Sequence, residues 1–282
     1  MSDRFELRGI VAPTLMLLVM AGCGGGDGGG GGASGGGGAA MENPVDAATA
    51  GNIAGSIVFE GDAPSMDVID MSGESVCAAK HASTPMIEEV VVNSNGTLAN
   101  VFVYVKEGLE SLQFPTPGAV LLDQNGCVYL PHVLGVMVGQ DITIRNSDGL
   151  LHNINASPTI NRGFNSSQPV SMETTRSFRT AEVMVPLRCD VHRWMTAYIG
   201  ILDHPFHSVS NGSGAFNLST LPPGEYVIEA WHERYGTQTQ NVTVTTGETA
   251  EITFTFSASM AQSAVVPLGA PIDLHGGVVE AS

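Results

Sequence analysis

A thiolate, an imidazole and a thioether stand close together in Pro186-Leu-Arg-Cys189-Asp-Val-His192-Arg-Trp-Met195, at the spacing Cys-x2-His-x2-Met. A second imidazole, His152, lies 37 residues before Cys189 in Asn146-Ser-Asp-Gly-Leu-Leu-His152-Asn153. Soft sulfur donors suit Cu(I), and imidazoles suit both Cu(I) and Cu(II). Two His, one Cys and a weak axial Met make the donor pattern of a mononuclear blue-copper site. A thiol is deprotonated when it binds a metal, so Cys189 needs no separate base. If one geometry serves both oxidation states, little rearranges when an electron moves.

Such a set requires a strand to present His152 and a short loop between strands to present the other three. The sequence supplies strand-like runs at 88–93, 98–106, 119–122, 127–130, 133–138, 141–145, 183–187 and 197–202, with Asn95-Gly96 as a hairpin turn between the first two. No window of 11 or more residues carries helical periodicity. Short strands with frequent turns predict an all-β sandwich or barrel.

The stretch from Tyr129 through Pro131, Val136, Gly139, Ile142 and Asn146 has an aromatic-x-Pro strand followed by a Val-x-x-Gly-x-x-Ile-x-x-x-Asn strand pair. With His152, Cys189, His192 and Met195 in order, residues 117–203 resemble a cupredoxin, nearest in loop spacing to amicyanin. The resemblance implies a Greek-key β-sandwich and one type 1 copper held by those four residues. It also implies that Asn153 braces the ligand loop and that His192 is the edge through which electrons leave. A dinuclear copper A centre would need a second Cys in the loop, and a multicopper oxidase would need His-x-His pairs. The chain has neither, and His204-Pro-Phe-His207 is His-x2-His. Trp194 in the loop is expected to pack over the metal, in the core, or on a docking face. Asp190 and Arg193 are expected to face water.

A second unit runs from 204 to 257. Gly214-Ala-Phe-Asn-Leu, the turn Leu221-Pro-Pro-Gly-Glu-Tyr226 and two closing strands resemble the carboxypeptidase regulatory-like, transthyretin-like β-sandwich. Modules of that family are structural or adhesive, and similar folds bind carbohydrate. Trp231-His232-Glu233 lacks the second His of a zinc-protease helix and reads as a strand end. Residues 52–116 are expected to be an extension or the first strands of the cupredoxin, and 258–282 a loose tail.

At the front, Arg4 and Arg8 precede an apolar run, and Val19-Met20-Ala21-Gly22-Cys23 resembles a bacterial lipobox. Residues 1–22 are thus expected to be a lipoprotein signal peptide, with Cys23 the lipidated residue. Residues 23–51 form a Gly-rich tether that cannot bury apolar surface. Gly24 after the Cys implies the outer membrane, facing the periplasm or the cell surface. Lys+Arg number 11 against 28 Asp+Glu, a net charge of -17 that repels nucleic acid and either favours a basic protein partner or, more commonly, simply keeps a chain soluble.

Cys77 and Cys127 remain. In an exported chain they fit a disulfide closing a loop of about 50 residues. The alternatives are a second metal site with His81 and His132, or two free thiols. The expected function is single-electron transfer through one copper by a protein that is not itself an enzyme. The rivals are copper delivery and a surface binding module, with carbohydrate as a candidate ligand.

Overall fold

The computed structural model describes residues 41–261. The chain passes through β1 (Gly51–Glu60), a one-turn helix α1 (Ser75–Ala78) and β2 (Phe102–Glu107). Nine strands follow: β3 (Val120–Gln124), β4 (Tyr129–Leu130), β5 (Val133–Met137), β6 (Ile142–Asn146), β7 (His152–Ala156), β8 (Phe164–Gln168), β9 (Met172–Arg176), β10 (Glu182–Arg188) and β11 (Thr196–Leu202). Five more end the fold: β12 (His207–Val209), β13 (Ala215–Leu221), β14 (Gly224–His232), β15 (Gly236–Val244) and β16 (Thr249–Ser257).

The protein is all-β, as expected, and consists of one sandwich set into another. In the inserted sandwich a five-stranded sheet, β5-β11-β10-β7-β8, faces a four-stranded sheet, β4-β3-β6-β9. Alternate residues of both sheets, among them Leu122, Ile144, Ile154, Leu187 and Ile199, close one apolar core. In the framing sandwich β13-β1-β16 faces β12-β2-β14-β15. Its core holds Ile53 and Ile57 of β1, Val103 of β2, Phe216 of β13, Ile228 of β14 and Phe254 of β16.

This arrangement corrects the assignment of 52–116. β1 is sandwiched between β13 (antiparallel) and β16 (parallel), while β2 lies between β12 and β14. Both strands therefore complete the module at 204–257, and the inserted sandwich begins only at β3. Alternation along β1 says that one face is buried but not which distant strand it joins. Between β1 and β2 the chain divides its loyalties. Ile69, Met71 and Cys77 enter the core of the inserted sandwich, whereas Val90, Leu98 and Val101 enter that of the framing one. The expected hairpin is a single bridge, Val92 to Leu98, around Gly96 at φ +77°. Regular strand starts only at Phe102.

β2 is buried on both faces. Val103 and Val105 point into the framing core, while Phe102 and Tyr104 point the other way and meet Val133 and Leu202 of the inserted sandwich. Close contact there depends on glycine. Gly135 and Gly200 are partners in register on β5 and β11. A Cβ on Gly200 would lie 2.5 Å from Phe102, and one on Gly135 would lie 2.2 Å from the His207 ring.

Order begins earlier than the tether assignment allowed. Val45 packs on the framing core, and the Asp46 carbonyl accepts the Ala50 N–H at 3.0 Å. At the other end a 3-10 turn spans Ala258–Met260, with Met260 packed on the same core. The expected signal peptide, the lipidation residue Cys23, the glycine tract and residues 262–282 lie outside the described residues. Among the described residues no helix is long and apolar enough to cross a membrane.

Candidate metal centre

The four sequence-predicted ligands sit at one end of the inserted sandwich. His152 is the first residue of β7, Cys189 follows β10, and Met195 precedes β11. Arg188 pairs with Thr196 across the loop and with Asn155 on β7, which brings the loop to the start of β7. Backbone bonds close the loop itself: Cys189 N–H to Met195 O at 3.1 Å and Met195 N–H to His192 O at 2.9 Å. The His192 N–H also reaches Cys189 Sγ at 3.4 Å.

His152 Nδ1 and His192 Nδ1 are 3.0 Å apart, and Cys189 Sγ is 3.8 Å from His192 Nδ1. One ligand atom from each of these residues lies within 4.8 Å of the others. His152 is 0% exposed and Cys189, His192 and Met195 are each 1% exposed. Among the described residues Cys189 is the one cysteine outside a disulfide.

Hydrogen bonds outside the cluster aim the donors. Asn153 Oδ1 accepts the Asp190 N–H at 2.6 Å and the Cys189 thiol at 3.3 Å. Its amide donates to Asp190 Oδ2 at 3.0 Å, so Asn153 does tie β7 to the ligand loop. Asp190 also accepts from Asn155 and Asn165. It was expected merely to face water; it is exposed yet anchors three amides. Arg193 is exposed, as expected.

Sequence reasoning missed Asp148. Its Oδ2 accepts from His152 Nε2 at 2.9 Å and from the Cys127 N–H at 2.7 Å. Its Oδ1 accepts from the Gly126 N–H at 2.7 Å and pairs with Lys80 Nζ at 3.0 Å. The His152 bond leaves Nδ1 free for a metal, the usual carboxylate–imidazole arrangement. The signal was present as an Asp-Gly turn four residues before a candidate ligand.

The electrostatics agree with these contacts. Burial works against ionised Asp148, but His152, the two backbone N–H groups and Lys80 outweigh it and hold the carboxyl far below its ordinary range. Burial also resists a charge on His152, yet Asp148 and Cys189 raise its pKa. Burial opposes the Cys189 thiolate, but hydrogen bonds from His152 and the loop backbone lower its pKa. Burial and then the neighbouring His152 lower the pKa of His192.

Cys77 and Cys127 are joined in a disulfide. Cys77 Sγ lies 3.7 Å from His192 Nε2. Trp194 packs beside the His192 ring at 5.2 Å between centroids and donates to Cys127 O at 2.8 Å. The edge of His192 that the resemblance made an electron exit is therefore covered, because α1 and its disulfide fold over it. His81 and His132 do not join these cysteines. His81 Nε2 bonds Gly126 O at 2.6 Å, and His132 bridges Thr196 O at 3.1 Å and Glu233 Oε1 at 2.6 Å. Glu233 thus reaches from the framing sandwich to the residue after Met195, and Tyr198 meets Trp231 beside it.

The donor set fits copper. Two imidazoles and a thiol converge, with the buried thioether of Met195 in the same loop, a combination soft enough for Cu(I) and acceptable to Cu(II). A structural zinc site would be expected to take four Cys or His donors rather than a thioether.

Residues 200–257 match the carboxypeptidase regulatory-like domain. No curated protein matches the chain. Similar solved structures include an oxidised amicyanin variant, 20% identical over 30% of this chain and 82% of that one, with a TM-score of 0.28. A purple cupredoxin from Nitrosopumilus maritimus is 19% identical over 30% of this chain and 99% of its own, with a TM-score of 0.26. A copper-containing nitrite reductase from Thermus scotoductus SA-01 is 18% identical over 36% of this chain and 25% of its own, with a TM-score of 0.29.

Proposed function

We propose that the chain is a mononuclear type 1 copper protein that passes single electrons in the cell envelope and is not itself an enzyme. The observation that carries this reading is the buried convergence of His152, Cys189 and His192, with the buried Met195 three residues beyond His192 in the same loop. Copper bound there would supply a one-electron Cu(I)/Cu(II) couple. Asp148 fixes the tautomer of His152, the His192 N–H donates to the Cys189 sulfur, Asn153 ties the loop to β7 through Asp190, and the backbone bonds of the loop resist rearrangement. That rigidity is what fast electron exchange asks of a site.

The sequence around Cys23 supports an exported, lipid-anchored protein, placed by Gly24 at the outer membrane and facing the periplasm or the surface. The acidic surface suits a redox partner with a basic face. A second reading, copper delivery, is favoured by the covering of His192, which removes the most direct route for electrons. Voltammetry and chelator competition on the copper-loaded full chain separate the two. A reversible couple with copper retained in both states supports the carrier. Rapid loss of Cu(I) to bicinchoninate, with no reversible couple, supports delivery.

A further inference from the structure

The His192 ring stands between two groups of donors. Nδ1 faces His152 and Cys189, while Nε2 faces Cys77 Sγ at 3.7 Å. Cys77, Cys127 and His192 also offer ligand atoms within 4.8 Å of one another, and all three are buried. While the disulfide is intact its two sulfurs are not thiolates and cannot serve as strong ligands.

We propose that Cys77, Cys127 and His192 form a second, thiol-gated site for Cu(I), opened by reduction of the disulfide. The reductant is a dithiol: it gives two electrons and two protons to the S–S bond, leaving two thiols here and becoming a disulfide itself. Each thiol then releases its proton as it binds the metal, and where the first set is also filled through Nδ1, His192 releases its ring proton and bridges the two ions as an imidazolate. Two thiolates and one imidazole make a soft, three-coordinate set suited to Cu(I).

The segment that carries Cys77 is built to open locally. α1 is a single turn whose N-cap, Glu74, makes no side-chain cap. The segment's strand-like pairing is one isolated bridge, Val68 to Met86, both more than half exposed, and the segment is otherwise tied down by Ile69 and Met71 in the core, Lys80 on Asp148 and His81 on Gly126 O. Breaking the S–S bond removes its covalent tie, so opening then costs those local contacts and not the unfolding of the sandwich. Cys127 moves less freely, because Asp148 holds its N–H and that of Gly126. Reduction would thus free one wall of the site and leave the other in place.

The site stands whether or not the first set holds copper, and one experiment keeps the two apart. The full chain is reduced with a phosphine, desalted without oxygen and titrated with Cu(I) against bicinchoninate. The oxidised chain should take one Cu(I), and the reduced chain two. Cys77→Ser with Cys127→Ser should take one under both conditions. Cys189→Ser should take none when oxidised and one when reduced, with copper–sulfur scattering in its X-ray absorption spectrum. Alkylation of the reduced Cys189→Ser chain should abolish that equivalent, which covers the case of a double variant that fails to fold. A reduced chain that binds no more Cu(I) than the oxidised chain, or a gain on reduction that survives loss of Cys77 and Cys127, overturns the proposal. So does a reduced chain that loses its sheet signal and does not regain it with Cu(I).

Discussion

Buried polar groups of two kinds lie among the described residues, those paired with partners of opposite character and those that face their own kind. At the junction of the sandwiches His132 meets Glu233, and within the framing sandwich Glu229 takes both Tyr104 and Lys106. Each positive or donating group there has an acceptor of opposite character. At the end of the inserted sandwich His152 and His192 instead turn ring nitrogens toward each other, beside a thiol. Their outer edges are satisfied by Asp148 and covered by the disulfide, while their inner edges face like groups. The Nδ1 to Nδ1 contact at 3.0 Å is a hydrogen bond in which one ring donates and the other accepts, and loss of that proton and of the thiol's leaves inward lone pairs on all three residues. A cation at the centre takes up those lone pairs, so this cluster is the one that reads as a metal site.

The largest break in this contrast comes from the cap. Cys77→Ala with Cys127→Ala removes a cross-link spanning 50 residues. A loss of about 4 kcal/mol is expected from the chain-entropy model, read as a shift of the urea midpoint at constant slope. Copper binding by Cys189 should survive that change.

Acid comes next, and it acts on the framing sandwich. Burial pushes the pKa of His207 down to about 4 and that of His232 down to about 3. Unfolded, both return to about 6.5, so between pH 6.5 and those values the unfolded chain binds more protons. Stability is therefore full above pH 6.5 and falls as pH is lowered, by roughly 2 kcal/mol per histidine at pH 5. His132 has the opposite sign. Burial disfavours its charge, but Glu233 raises its pKa, so its contribution is present at low pH and fades as pH rises through the folded value. Urea midpoints at pH 7 and pH 5 test this, and His232→Phe should flatten the slope.

Asp148→Asn sharpens the comparison from the other side. It keeps the shape but removes the charge that aims His152, and copper affinity should fall about 10- to 100-fold. Chelator competition reads that change. The smallest effect is expected of Glu233→Gln, which weakens the completed pair by about 1 kcal/mol. It should leave the affinity for copper within about twofold, and a larger drop would mean that the junction helps shape the ligand loop.

Much of this was legible in the sequence, because its signals are local. Cys189, His192 and Met195 announce themselves by spacing, and the runs at 119–122, 133–138, 141–145, 183–187 and 197–202 each fall on an observed strand. What escaped was non-local or polar. β8 and β9 are edge strands of sequence Phe-Asn-Ser-Ser-Gln and Met-Glu-Thr-Thr-Arg, with little apolar alternation to mark them. β1 alternates in part and β2 is a short apolar run, but their partners lie far along the chain, so the sequence could not show that the C-terminal module begins at its N-terminal side. Asp148 looked like an ordinary turn residue, since its four partners come from three separate parts of the chain, Lys80, Gly126-Cys127 and His152.

The central claim is that Cys189, with His152, His192 and Met195, binds one copper through its thiolate. The visible absorption spectrum of the full chain after addition of one equivalent of Cu(II) tests it most directly. An intense sulfur-to-copper charge-transfer band that disappears in Cys189→Ser is the predicted result; no such band, or one that persists in Cys189→Ser, would contradict it.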